Sequence, residues 1–333
     1  MSDAAVQGQV YLRAYLAPLV PFLDQTDVTD LYVNRPGEVW IERLGGTVER
    51  RDVAELTPQL LDRLARQIAA FSHQGVNREH PILSASLPSG ERIQIVIPPA
   101  TRGQVALAIR KATAAELSLE DYHSAGAFEA IGSEDAGASD DLDVLLRERR
   151  NVGDVAGLLR EAVRGRRNIL VSGGTSTGKT TFLNALIREI PDEERLIFIE
   201  DTPELKLRHA NAVGLLAARS ALGEAAVTAE DLLTASLRMR PDRIILGELR
   251  GPEAYTFLRS VNTGHPGSMT TIHADSPFRA VEQLALLVLQ GGTQLSRSDV
   301  LHYVRASIDV FVQLARRGGR RTVTEIQLKE RTE

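Results

Sequence analysis

Apolar and polar residues alternate through 31–42, "LYVNRPGEVWIE", on both sides of a Pro36-Gly37 step. A period of two with a turn in its middle predicts a β-hairpin. Over 57–74 the period lengthens to that of a helix. Leu60, Leu61, Leu64, Ile68 and Phe71 fall on one face, Thr57 stands at an N-cap position and Pro58 at the first helical position. A second hairpin is predicted over 82–99, turning at Ser89-Gly90, and a further strand over 104–111, "QVALAIRK". Residues 1–113 therefore read as a small α+β domain.

From 155 onward the pattern is of another kind. Short, continuously apolar runs at 168–173, 195–201, 243–248 and 268–274 predict buried strands. Helical segments separate them at 179–190, 228–242, 251–264 and 277–290. The second opens on a capping pair, Thr228 and Asp231, and must stop before Pro241. The hairpin "DVFVQLARRGGRRTVTEIQL" closes the series. Strands alternating with helices predict an α/β domain over 151–333 with a mainly parallel sheet.

Between the two, residues 114–150 are rich in Ala, Gly and Ser and carry ten acidic side chains against three basic ones. They read as a flexible acidic linker with short helices at its ends. The net charge of −5 is thus local, and no basic stripe suggests sequence-specific nucleic-acid binding. There is no cysteine, which excludes disulfides and Cys-ligated zinc. No apolar run approaches the ~20 residues that span a bilayer, and residues 1–23 lack a basic leader with an uninterrupted apolar core. A soluble, cytoplasmic protein is expected, with any membrane role peripheral.

The chemistry concentrates in "VSGGTSTGKTTF", which contains Gly173-x-x-x-x-Gly178-Lys179-Thr180. This is the spacing of a phosphate-binding P-loop, in the strand–loop–helix setting that such a loop requires. Backbone N–H groups of Gly173, Gly174, Thr175, Ser176, Thr177, Gly178, Lys179, Thr180 and Thr181 would form the cradle at a helix N-terminus. Lys179 would reach the β- and γ-phosphates, and the Thr180 hydroxyl would ligate Mg²⁺.

Hydrolysis also needs a group that orients water. Glu248 ends the strand "RIILGE" and is expected in that role, since strand ends are where open α/β sheets bind ligands. Gly247 stands where many P-loop proteins carry a metal-linked aspartate, so Mg²⁺ contacts fall to Thr180 with Glu248 or the acids of "FIEDTPEL", Glu200 and Asp201. His265 and His273 lack zinc-site spacing. His273 ends a predicted strand, where it can face a γ-phosphate.

Taken together, "GGTSTGKTTFLNAL", "RLIFIEDTPEL", "LRMRPDRIILGELRGPEA" and "NTGHPGSMTTIHADSP" resemble, in this order, the Walker A, Asp, Walker B and His boxes of the secretion-superfamily traffic ATPases. The VirB-eleven-type ATPases of type IV secretion systems look nearest, and "DLYVNRPGEVWIE" and "GERIQIVIPPA" extend the resemblance into the N-terminal half. It implies a RecA-like domain, a homohexameric ring, nucleotide between the two domains, and peripheral attachment to the inner membrane. It also implies contact with secretion-channel components and coupling ATPases. It places Glu200 in the Asp box, makes Glu248 catalytic and His273 a nucleotide sensor, and assigns phosphate contacts to Arg92 and Arg110. A type II secretion or pilus-retraction motor, a hexameric nucleic-acid motor and a non-hydrolysing nucleotide switch are the competing readings. The lack of a cysteine module and of an "EMRD" box, the balanced charge and Glu248 weigh against them in turn.

Overall fold

A computed structural model describes residues 11–111, 118–124, 126–128, 138–218 and 223–329. The N-terminal half forms a six-stranded antiparallel sheet in the order β3-β2-β1-β6-β5-β4. The first predicted hairpin is β1 (Val28–Val33) and β2 (Glu38–Arg43), and its turn closes on Gly37 at φ 83°, a conformation that glycine adopts without penalty. The second is β4 (Ile82–Ser86) and β5 (Arg92–Val96), with Leu83 opposite Ile95. Strand β6 (Ala106–Arg110) joins the two hairpins. Helix α1 (Pro58–Phe71) starts as its sequence predicts, the Thr57 hydroxyl accepting the Leu60 N–H. Leu61, Leu64 and Ile68 are buried against inward residues of the sheet such as Leu31, Ile41, Ile95 and Leu107. Strand β3 (Val48–Asp52) was not predicted: "VERRD" lies on an exposed edge, so burial imposes no alternation on it.

The far end of the acidic segment is a 14-residue helix, α2 (Ala138–Asn151). Leu146 enters the core beside Leu158 and Val163 of α3 (Val155–Arg164). Asp143 pairs with Arg167 at 2.7 Å, and Arg147 donates to the Lys329 carbonyl. This helix therefore packs with the C-terminal half. Of the stretch expected to be a flexible linker, 114–150, residues 114–117, 125 and 129–137 lie outside the described residues.

The C-terminal sheet has seven strands in the order β13-β12-β7-β11-β10-β8-β9, all parallel except β13. The predicted apolar runs are β7 (Ile169–Gly173), β8 (Leu196–Glu200), β10 (Arg243–Leu246) and β11 (Met269–Ile272). Helices α4 (Lys179–Ile187), α5 (Ala229–Ser236), α6 (Glu253–Asn262) and α7 (Pro277–Gln290) lie between or after them. The Thr228–Asp231 capping box is present. Among the described residues of this half, the sequence pattern does not mark α3, β9 (Ala212–Leu216) or α8 (Arg297–Ser307), which buries Val300 and Val304. The hairpin β12 (Val310–Arg317) and β13 (Arg320–Leu328) completes the sheet beside β7.

The two halves are joined by backbone as well as side chains. Residues 100–102 lie along β9: the Leu216 N–H donates to the Ala100 carbonyl and the Arg102 N–H to that of Gly214, both at 2.9 Å. Tyr32, Val96 and Ala108 share a core cluster with Ile197, Leu215 and Leu232. Arg195, fully buried at the start of β8, stacks 4.1 Å above the Tyr32 ring and donates to Asn34 at 2.7 Å. Tyr32 in turn donates to Glu42, which Arg240 holds at 2.7 Å.

Candidate nucleotide site

Sheet order decides which side chains meet. Strands β7, β11, β10 and β8 are consecutive neighbours and parallel, so their C-terminal ends form one line. The P-loop follows β7, His273 follows β11, Glu248 follows β10, and Glu200 ends β8. Four segments far apart in sequence thereby reach a single edge.

The loop itself is tightly wound. Ser176 and Gly178 take φ of 61° and 91°, and the Thr177 hydroxyl donates to the Gly174 carbonyl at 2.8 Å. Gly178 immediately precedes α4, so the loop's N–H groups gather at a helix N-terminus where anions are favoured. Gly173 is buried and pressed against Leu314 of β12; a Cβ there would also collide with the Thr177 hydroxyl. Thr180 is half-buried at the start of the helix, while Thr175, Ser176 and Thr181 are exposed.

Lys179 folds back over the loop. Its Nζ donates to the Gly173 carbonyl at 3.1 Å and lies 3.6 Å from Glu248 Oε1 and 3.3 Å from His273 Nδ1. Burial pulls the ammonium below its ordinary value, and Glu248 opposes that shift. His273 Nε2 stands 2.8 Å from the same Glu248 oxygen. Cation, carboxylate and imidazole thus converge on one point beside the loop.

Arg250, which the sequence reading did not single out, holds the other side. Its Nε donates to Glu248 Oε2 and its Nη1 to Asp201, each at 2.6 Å. Glu248 therefore turns Oε1 to Lys179 and His273, and Oε2 to Arg250. The only signal was its place in "ELRG", two residues beyond Glu248; its partners depend on the strand order.

Glu200 has a different setting. It is buried, its Oε2 accepts the N–H groups of Glu204 and Leu205 at 2.8 Å each, and Oε1 forms an ion pair with Arg102 of the N-terminal half. Both oxygens have protein partners, so ligation of a metal by Glu200 would need Arg102 to let go. Hard oxygen donors suited to Mg²⁺ remain in the Thr180 hydroxyl and the Glu248 carboxylate. His265 sits apart, its Nδ1 3.1 Å from the Ser260 carbonyl.

Arg92 and Arg110 are not brought to this P-loop. They face each other across β5 and β6 and line a cleft of about 530 Å³ that also contains Gln94, Arg238 and Arg240. Arg110 lies 4.0 Å from Asp30.

A P-loop between a buried strand and a helix, with the Glu248 carboxylate two strands away on a mainly parallel sheet, defines a RecA-like P-loop ATPase. The type II/IV secretion system protein family matches residues 13–324. The chain is 39% identical over 330 residues to the type IV secretion system protein VirB11 of Bartonella henselae, covering 93% of this chain and 91% of that one. It is 40% identical over 338 residues to a PtlH homologue of Bordetella bronchiseptica, covering 99% and 98%. The crystal structure of the VirB11 ATPase of the Brucella suis type IV secretion system superposes with a TM-score of 0.89 at 39% identity, over 98% of this chain and 97% of that one. The chain belongs to the type II/IV secretion system protein family and is a secretion-system traffic ATPase.

Proposed function

We propose that the protein hydrolyses Mg²⁺-ATP as a closed homohexameric ring that powers substrate translocation or pilus assembly in a type IV secretion system. The observation that carries the catalytic part is the convergence of Lys179 and His273 on one oxygen of Glu248 beside the P-loop. In this reading the loop's N–H groups and Lys179 hold the phosphates, and Glu248 orients the attacking water. His273 reports whether a γ-phosphate is present by exchanging its contact with Glu248 for one to that group. Thr180 and Glu248 would hold Mg²⁺, which when bound neutralises charge on the phosphate oxygens. Arg250 fixes the Glu248 carboxylate, so one rotamer serves both binding and chemistry.

Arg92 and Arg110 fit this scheme in trans. Their own chain keeps them at the domain seam, and a guanidinium pair open to solvent can meet the phosphates of a neighbouring subunit. A head-to-tail interface that places one subunit's arginines at the next subunit's loop closes naturally into a ring. Among the described residues no helix is long and apolar enough to cross a membrane, in keeping with peripheral work at the cytoplasmic face of the inner membrane, beside channel components and coupling ATPases.

The test combines turnover with assembly. Lys179→Ala should abolish hydrolysis with the fold intact, and Mg²⁺-ATP should favour rings, because ligand at an interface stabilises the state that binds it. Turnover within twofold of wild type, or only monomers by light scattering at micromolar protein with nucleotide, would refute it.

A further inference from the structure

The hairpin β12–β13 turns at Gly318 and Gly319, both at positive φ, and carries two arginines on each side of the turn. Arg316 stands directly opposite Arg321, and Arg317 opposite Arg320. Like charges facing across a ladder are destabilising. Among the described residues none of the four forms an ion pair that would offset this. A cluster of uncompensated guanidinium groups is a site suited to an anion.

Where the hairpin points identifies that anion. Strand β12 runs parallel to β7, with Leu314 opposite Gly173, the first glycine of the P-loop. The hairpin continues three residues beyond that pair, to Arg317, and so overhangs the loop. Arg321 comes down onto Gly178: a Cβ placed on that glycine would lie 2.9 Å from Arg321 Cδ, 3.4 Å from Nε and 3.6 Å from Nη1. Gly178 supplies one of the N–H groups of the cradle and stands next to Lys179. Residues adjacent on a strand point to opposite faces, so Arg320 and Arg317 look away from the loop.

We infer that Arg321 is a ligand of the nucleotide's phosphates, supplied in cis by the terminal hairpin. The inference rests on the reading of the P-loop as an ATP site. A nucleotide polyphosphate carries several negative charges, and Lys179 is the only cation that the loop itself contributes. A planar guanidinium at Gly178 adds a fork matched to two phosphate oxygens. It lies at the Gly178 end of the loop, whereas Glu248 and His273 approach from β10 and β11. Arg321 therefore acts in binding, for ADP as well as ATP, and leaves the water-orienting step to Glu248.

The experiment is titration of a fluorescent ADP analogue and of a fluorescent adenosine into the full-length chain, for wild type, Arg321→Ala, Arg321→Lys, Arg320→Ala and Lys179→Ala. Arg321→Ala should weaken the ADP analogue about tenfold, with Arg321→Lys recovering part of the loss and the adenosine probe unaffected. Arg320→Ala should stay within twofold, and none of the variants should unfold at a lower temperature than wild type, since removing either arginine relieves a like-charge pair. Should Arg321→Ala fail to fold, the Lys variant and a reduced salt dependence of ADP binding carry the test. Unchanged affinity, an equal loss in Arg320→Ala, or tighter binding on removing Arg321 would overturn the inference, the last by making the side chain a plug. Wild type that does not bind the ADP analogue, or Lys179→Ala that binds it as well as wild type does, would instead refute the P-loop reading itself.

Discussion

Arg102, on a loop of the N-terminal domain, forms an ion pair with Glu200 at the end of β8. Its Nη1 also donates 2.7 Å to the Leu205 carbonyl, on the loop whose N–H groups hold the other Glu200 oxygen. One guanidinium thus ties the N-terminal domain to β8, the strand beside β10, which Glu248 follows.

That clasp predicts a stability effect with a defined partner. Arg102→Ala leaves a buried carboxylate facing two amides and no charge, which should cost about 3 kcal/mol in denaturant unfolding. Glu200→Gln should cost less, and the double variant less than the sum, with a coupling energy above about 1 kcal/mol. Additive losses would mean that the two side chains do not interact in solution.

His265 should make stability depend on pH. Burial holds its imidazole below the ordinary value of 6.5; the Ser260 carbonyl opposes that shift, Arg240 adds to it and Asp242 opposes it. With the folded value depressed, the unfolded chain takes up the proton first as pH falls. The contribution is fully present above pH 6.5 and is lost as pH drops below it through the folded value. His265→Gln should flatten the fall in unfolding free energy as pH drops below 6.5, by at most about 1.4 kcal/mol per pH unit. An unchanged profile would show that His265 does not titrate differently on unfolding.

The arrangement of the two arginines in the seam predicts complementation between inactive chains. Arg92→Ala/Arg110→Ala and Lys179→Ala should each hydrolyse ATP poorly alone. Mixed at equal concentration, random rings would place an intact loop against an intact arginine pair at about a quarter of their interfaces. Turnover should rise toward that fraction of wild type. A mixture no more active than its components would place the arginines outside the neighbouring site.

The sequence disclosed what depends on local pattern. The hairpins of the N-terminal domain, α1 with its Thr57 cap, and the four apolar strands around the P-loop all follow from period and punctuation. Local pattern does not mark β3, because "VERRD" has no buried face, or β9, because "AVGLL" is short and its pairing with β8 on one side and residues 100–102 on the other is set by the fold. Helix α8 has few apolar positions to mark a face. At the site, Lys179 stood out by the P-loop spacing, Glu248 by its place at a strand end and His273 by the family resemblance; the sheet order brings the three together. Arg250 and Arg102 were not, since an arginine's carboxylate is chosen by strand order and domain packing. Arg92 and Arg110 were assigned by resemblance to phosphate contacts; the fold keeps them at the seam of their own chain, where charge pattern alone could not place them.

Glu248→Gln separates binding from chemistry at the site, because it keeps the side chain's shape and removes the carboxylate shared by Lys179, His273 and Arg250. ATP affinity and single-turnover hydrolysis should be measured on the same preparation. The expected result is affinity within about threefold of wild type with hydrolysis slowed roughly 10²–10⁴-fold. Hydrolysis within about threefold of wild type, or a loss of binding that accounts for the whole loss of rate, would contradict a water-orienting role for Glu248.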